Sequence, residues 1–239
     1  MDYVRLIKEE LGRHSNPEKK EFFPKFFKAE PGGYGEGDLF MGVTVPHQRK
    51  IAKQYFRQIS LAEAEKLLQD PVHECRLTAL FILVNKYEKS KDQREKEEII
   101  QCYLNNLPFV NNWDLVDSSA YKLLGPHLEN TDRRLLYELA AAPDLWKPRI
   151  AIIATFHFIK NDDFEDTFRI AEQLLEHPHD LIHKAVGWML REVGNRDRGR
   201  ELEFLDRHYQ RMPRTMLRYA IEKLEPELRQ QYLQGTREV

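Results

Sequence analysis

The stretch N-N-W-D-L-V-D-S-S-A, Asn111 to Ala120, sets one Trp and two Asp among small and polar residues, just after the apolar run Leu107-Pro108-Phe109-Val110. On a helix opening near Asn112, Trp113 and Asp117 are four residues apart and share one face, while Asp114 points elsewhere. Asp114 falls in the first turn and suits the helix macrodipole. Asp117 lies a turn further in, where capping no longer accounts for it and where helix interiors mildly disfavour Asp. A carboxylate aimed into a groove beside an indole face attracts positive charge, and the indole face adds roughly 0.5–2 kcal/mol for a cation.

The same geometry recurs twice. In W-K-P-R, Trp146 and Arg149 are three apart, and in K-A-V-G-W-M-L-R, Lys184, Trp188 and Arg191 lie on one face. Three segments thus pair a Trp with a charge, which suits a cationic ligand flanked by phosphates, since Arg and Lys hold a nucleic-acid backbone. The competing explanation is structural, because Trp at helical spacing usually packs between helices and Asp near a helix start usually caps it.

Other motifs point to less chemistry. G-G-Y-G-E-G, within Glu30 to Gly37, lacks the Gly-Lys-Ser/Thr ending of a phosphate-binding loop and does not join a strand to a helix, so it reads as a flexible connector. His179 and His183 have the spacing of a zinc-binding pair, yet Asp180 stands where a catalytic Glu belongs and no third ligand follows, so His179 reads as a helix-start residue and no metal is expected. No Ser or Cys sits in a nucleophile elbow or a Cys–His setting. Phe22, Phe23, Phe26 and Phe27 have core-like helical spacing.

The elements that must position these residues are almost entirely helical. Apolar residues recur at i, i+3, i+4 and i+7 over 2–13, 17–28, 46–58, 61–69, 72–88, 91–106, 112–128, 131–141, 146–160, 163–176, 179–194, 198–211, 213–223 and 226–234. Ser15-Asn16-Pro17, Ser60, Asp70-Pro71, Ala142-Pro143-Asp144, His177-Pro178 and Met212-Pro213 punctuate them, with Leu145 as cap ahead of Pro148. Short gaps make neighbours antiparallel. Apolar units beginning near 72, 112, 146 and 179 recur at roughly 35 to 40 residues, the period of helix-pair repeats. The expectation is an all-α, HEAT-like α-solenoid, one domain over 1–239, with N-terminal helices in 1–58, the Gly-rich loop at 30–37, repeats in 59–239, and a concave face that carries function.

A charged fraction of 32% and a hydrophobic fraction of 41% fit a folded chain with a heavily charged surface. The net charge of −2 means any nucleic-acid surface must be local, and residues 181–220 hold nine basic against five acidic side chains. Cys75 and Cys102 have no partnering motif and read as free thiols of a reducing cytosol. With no signal-peptide core at the N-terminus and no run approaching 18 apolar residues, a cytoplasmic protein without membrane contact is expected.

Taken together, N-P-E-K near the start, Y-G-E-G-D-L-F-M-G-V-T-V-P-H-Q-R-K at 34–50, N-N-W-D-L-V-D at 111–117, L-W-K-P-R at 145–149, K-A-V-G-W-M-L-R-E at 184–192 and P-R-T-M-L-R-Y-A-I-E at 213–222 resemble the AlkD family of DNA alkylation repair glycosylases over nearly the whole chain. The resemblance implies a HEAT-like fold and removal of cationic N3- and N7-alkylated purines, such as 3-methyladenine and 7-methylguanine, from duplex DNA without a cofactor. It places the family's catalytic Asp on Asp117, its two cleft aromatics on Trp113 and Trp188, and its phosphate-binding Arg on Arg149. It also implies a lesion held without a tight base-flipping pocket. Lys184, Arg191, Arg214 and Arg218 lie on faces compatible with the groove and are candidate DNA-backbone contacts. A monomer acting on duplex DNA is expected; the alternative is a catalytically silent HEAT-like module that binds DNA structure or scaffolds proteins.

Overall fold

In the computed structural model of the protein, which describes residues 1–237, the chain is all-helical, and among those residues the only β-type pairing is an isolated bridge between Leu39 and Val72. The helices in order are α1 (Tyr3–Arg13), α2 (Pro17–Phe26), α3 (Val45–Tyr55), α4 (Leu61–Leu68), α5 (His73–Lys89), α6 (Gln93–Asn105), α7 (Trp113–His127), α8 (Arg134–Ala140), α9 (Trp146–Ala154), α10 (Phe156–Lys160), α11 (Glu165–Gln173), α12 (Asp180–Arg196), α13 (Arg198–His208), α14 (Arg214–Ala220) and α15 (Pro226–Gln234). Single 3-10 turns occupy Leu107–Phe109 and Ile221–Lys223.

Side chains cap many of the helix starts. Asp2, Asn16, Asp92 and Asp197 each accept a backbone N–H of the first turn, and Ser60 with Glu63 forms a reciprocal capping box. Each such cap contributes about 1 kcal/mol by satisfying an otherwise orphaned donor. At α9 the cap is one residue earlier than expected: Leu145 offers no side-chain acceptor, and Asp144 Oδ1 accepts from Trp146 and Lys147 N–H, both at 2.9 Å. The expected helix over 146–160 is broken at Thr155, whose hydroxyl donates to the Ile152 carbonyl at 2.7 Å. That bond competes with the helical ladder, and the chain restarts as α10.

The chain divides into two compact units, Met1–Ser119 and Ala120–Val239, with the division falling inside α7. In the first unit α5 is buried on nearly every side and packs against α3, α4, α6 and α1. Its continuous apolar character, Leu77 to Val84 with Thr78 alone interrupting, is what a helix surrounded by others requires. In the second unit α12 has that place, packed by α9, α13 and α14 around Ile182, Met189, Leu190 and Leu217. Gly187 permits the α14 contact, since a Cβ there would lie 2.4 Å from the Met216 carbonyl oxygen.

Two local expectations are corrected. The Gly-rich loop is not a loose connector: Gly35 is buried, its N–H donates to the Lys28 carbonyl at 3.0 Å, and a Cβ there would meet the Phe27 oxygen at 2.5 Å. The four Phe of α2 and its end are not all core, because adjacent residues on a helix are turned about 100° apart. Phe27 is buried and Phe23 half-buried, whereas Phe22 and Phe26 are 55% and 47% exposed.

Candidate active site

The start of α7 is held by a buried charge cluster in the first unit. Leu39 exchanges backbone hydrogen bonds with the start of α5, donating to the Pro71 carbonyl at 3.0 Å and accepting from His73 N–H at 2.8 Å. The Glu74 carboxylate accepts from the backbone N–H groups of Met41, Gly42 and Val43 at 2.7–3.1 Å, so segment 38–44 is fixed to α5. Beside it, His73 is 1% exposed; its Nδ1 donates to Asp38 Oδ2 at 3.1 Å and its Nε2 to Asp114 Oδ2 at 2.8 Å. Arg76 pairs with the other oxygen of Asp38 at 2.6 Å.

Both ring nitrogens of His73 therefore face carboxylates, and the ring is an imidazolium. Burial alone would lower its pKa, but the Asp114 carboxylate, its hydrogen bond and that of Asp38 outweigh burial and the opposing Arg76, raising it to about 9. Asp38 in turn is held below its ordinary range: burial opposes this, and the His73 and Arg76 contacts overcome it. Asp114 lies in the first turn of α7 as expected and is 8% exposed; its Oδ1 accepts from Leu115 N–H at 2.9 Å and its Oδ2 from His73, which fixes that turn.

Trp113 and Asp117 follow on that turn and the next, and both are half-buried. The Trp113 ring stacks on Phe27 at 5.6 Å and 25° and meets the edge of exposed Phe26 at 5.7 Å. Phe27 lies against His73 at 4.6 Å, so the charge cluster and the indole are joined through one ring. Aromatic pairs in such geometry contribute about 0.5–1.5 kcal/mol beyond burial.

The remaining candidates lie in the second unit. Trp188 is half-buried on α12, donates from Nε1 to Glu192 Oε1 at 2.9 Å, and lies 6.1 Å from the Phe156 ring. Arg149 is 5% exposed and donates to the Leu181 carbonyl, tying the first turn of α9 to the first turn of α12. Lys184 pairs with Asp180 at 2.6 Å, Arg191 with Glu222, and Arg214 donates to the Leu233 carbonyl at 2.7 Å; Arg218 is exposed. The electropositive balance of 181–220 is thus partly neutralised by carboxylates, including Arg196–Asp162 and Arg211–Glu176, where the acid lies in a turn, and Arg200–Glu165, where it lies on α11.

The histidine pair at 179 and 183 is engaged with backbone. His179 caps α12 by accepting from Leu181 N–H at 3.1 Å, as its helix-start position suggested, and His183 Nε2 donates to the His177 carbonyl. Cys75 and Cys102 are free and buried, and burial pushes both thiols upward, Cys102 to about 11. Sequence reasoning missed His73, Asp38 and Arg76. The available signal was H-E-C-R, four titratable residues opening a helix whose middle, Leu77 to Val84, is apolar but for Thr78.

Residues 7–224 match the family of DNA alkylation repair enzymes. Among solved structures, the chain is similar to one described as a predicted DNA alkylation repair enzyme from Enterococcus faecalis, with a TM-score of 0.68 and 16% sequence identity over 89% of this chain and 98% of that one. No curated protein matches it. At that identity the structural likeness establishes the all-helical fold, and the family match spans most of the sequence. The chain belongs to the family of DNA alkylation repair enzymes.

Proposed function

We propose that the protein is a DNA glycosylase of base excision repair that hydrolyses the N-glycosidic bond of N3- and N7-alkylated purines in duplex DNA. The observation that carries this reading is the Trp113–Asp117 face of α7, an indole and a carboxylate one turn apart on a helix whose start is clamped by a buried ion cluster. Family membership supports the substrate class.

An alkylated purine of this kind already carries positive charge, so it leaves without being protonated. The C1′–N bond breaks with its electron pair passing to the base, which departs neutral, and the sugar is left as an oxocarbenium ion. Asp117 as carboxylate stabilises that cation and orients the water whose oxygen bonds to C1′ while its proton passes to the carboxylate or solvent. Trp113 and Trp188 present ring faces to the cationic nucleotide. Arg149, Lys184, Arg191, Arg214 and Arg218 are assigned to the phosphate backbone, where guanidinium groups bind in forked geometry.

Removing one preorganised electrostatic stabiliser costs roughly 10²–10³-fold in kcat. Asp117→Asn is therefore expected to lower single-turnover release of 7-methylguanine from a methylated duplex by at least about 10²-fold while the variant still binds that duplex. Wild-type release with an equally active Asp117→Asn would remove Asp117 from the mechanism. DNA binding by wild type with no release from any alkylated duplex would instead favour the catalytically silent module.

A further inference from the structure

One cluster in the second unit lies next to Trp188 and was not among the DNA-contact candidates. Tyr121 and Lys122 stand on the second half of α7, Phe156 and Lys160 at the two ends of α10, and Trp188 on α12. The Lys160 ammonium lies 4.3 Å from the Phe156 centroid and 4.7 Å from that of Tyr121, and the Lys122 ammonium lies 5.6 Å from the same Tyr121 ring. Tyr121 and Phe156 meet edge to face at 5.3 Å, and Phe156 continues to Trp188 at 6.1 Å. The result is an aromatic shelf, with Trp188 at one end and two ammonium groups over the other rings.

The charges of this shelf are poorly compensated. Among the described residues neither ammonium forms an ion pair, in contrast to Lys184, Arg191, Arg196 and Arg200 in the same unit. Among the described residues Glu192 is the one carboxylate whose charge acts on Lys160, and it already accepts from Trp188 Nε1 and Asn195 Nδ2 and lies 3.6 Å from Arg191. Burial, and after it the Lys122 charge, depress the Lys160 pKa. Two like charges held over ring faces, with one carboxylate that other groups already engage, form a site that an external anion relieves.

We propose that Lys122 and Lys160 form a DNA phosphate site beside Trp188, gripping the backbone of duplex DNA with their ammonium groups set by the Tyr121 and Phe156 rings. The ligand is the phosphodiester, since two compact ammonium charges bind phosphate as point charges and the adjacent half-buried Trp188 offers a face to the attached nucleotide. This deepens the glycosylase reading, on which the lesion-bearing duplex as ligand rests, and it adds contacts that the helical spacing in α12 and α14 does not supply.

Lys122→Gln/Lys160→Gln tests it. Affinity for a short duplex carrying 7-methylguanine, and for its undamaged counterpart, is measured between roughly 50 and 200 mM salt, the range over which phosphate contacts dominate. Each lost contact removes about 0.9 from the slope of log K against log salt, so the slope is expected to flatten by about 2, with weaker binding to both duplexes. Lys122→Arg/Lys160→Arg should restore the slope. Lys66→Gln/Lys91→Gln, which removes the same net charge from exposed positions in the first unit, should leave it unchanged.

A slope in Lys122→Gln/Lys160→Gln equal to that of wild type, or as large a change in Lys66→Gln/Lys91→Gln, would overturn the site. So would a wild-type protein that binds neither duplex. Base release by wild type with no change of slope in the lysine variant would sink this site alone. A flattened slope with no base release would leave the phosphate site standing and sink the glycosylase reading.

Discussion

Protonated on both ring nitrogens, His73 holds Asp38 and Asp114 at once and links the end of the Gly-rich loop to the first turn of α7. Its ordinary pKa of 6.5 applies to the unfolded chain, and the folded value is about 9. Stability from that proton is fully present below about pH 6.5 and is lost as pH rises through about 9, a difference on the order of 3 kcal/mol. Glu201 acts in the same direction: burial, opposed by Arg198 and Arg191, raises it to about 8, so the buried acid must ionise as the solution becomes alkaline. Chemical denaturation of wild type from pH 6 to 9.5 should show falling stability. His73→Gln should be less stable at pH 6 by roughly 3–5 kcal/mol, as when one partner of a buried pair is removed, and should decline less steeply with pH. An unchanged pH profile in His73→Gln would show that the ring is neutral in the folded protein. Glu201→Gln should flatten the other part of the decline.

At the scale of elements, Gly187 decides how closely α12 and α14 approach, and α12 carries Trp188 as the next residue. Gly187→Ala sets a methyl group within 2.4 Å of the Met216 carbonyl and 2.6 Å of Tyr219 Cβ, both firmly held positions. Overpacking of this kind costs about 1–3 kcal/mol, visible as a lowered denaturation midpoint, and a midpoint equal to wild type would mean that α14 moves freely. The K-A-V-G-W stretch showed its Trp in sequence but not the purpose of its Gly, because close approach of two helices leaves no local signature. Helix positions were legible from apolar spacing, caps and prolines, since those act within one turn. The break at Thr155 was not, because a hydroxyl bonding to a carbonyl three residues back looks in sequence like any mid-helix Thr. The shared face of Trp113 and Asp117 follows from helical spacing alone. The His73 cluster joins residues 35 and 41 positions apart, and no local pattern announces such a contact.

At the scale of the whole molecule, a chain with net charge −2 meets a polyanion only through local groups. Many of its basic residues are neutralised by carboxylates on adjacent helices and turns, so a count of Arg and Lys overstates the cations that remain for DNA. Lys122, Lys160 and Arg218 carry more weight in this respect than the charge balance of 181–220 suggests. The central claim is that this family member breaks the glycosidic bond of cationic purines with a carboxylate and aromatic faces, without metal. The most direct measurement is mass-spectrometric detection of free base after wild-type protein is incubated with duplex DNA containing 7-methylguanine or 3-methyladenine in the presence of EDTA. The expected result is release of the intact alkylated base together with an abasic site in the strand. Intact alkylated DNA after prolonged incubation at saturating protein, or a strand whose purine has lost only its alkyl group, would contradict it.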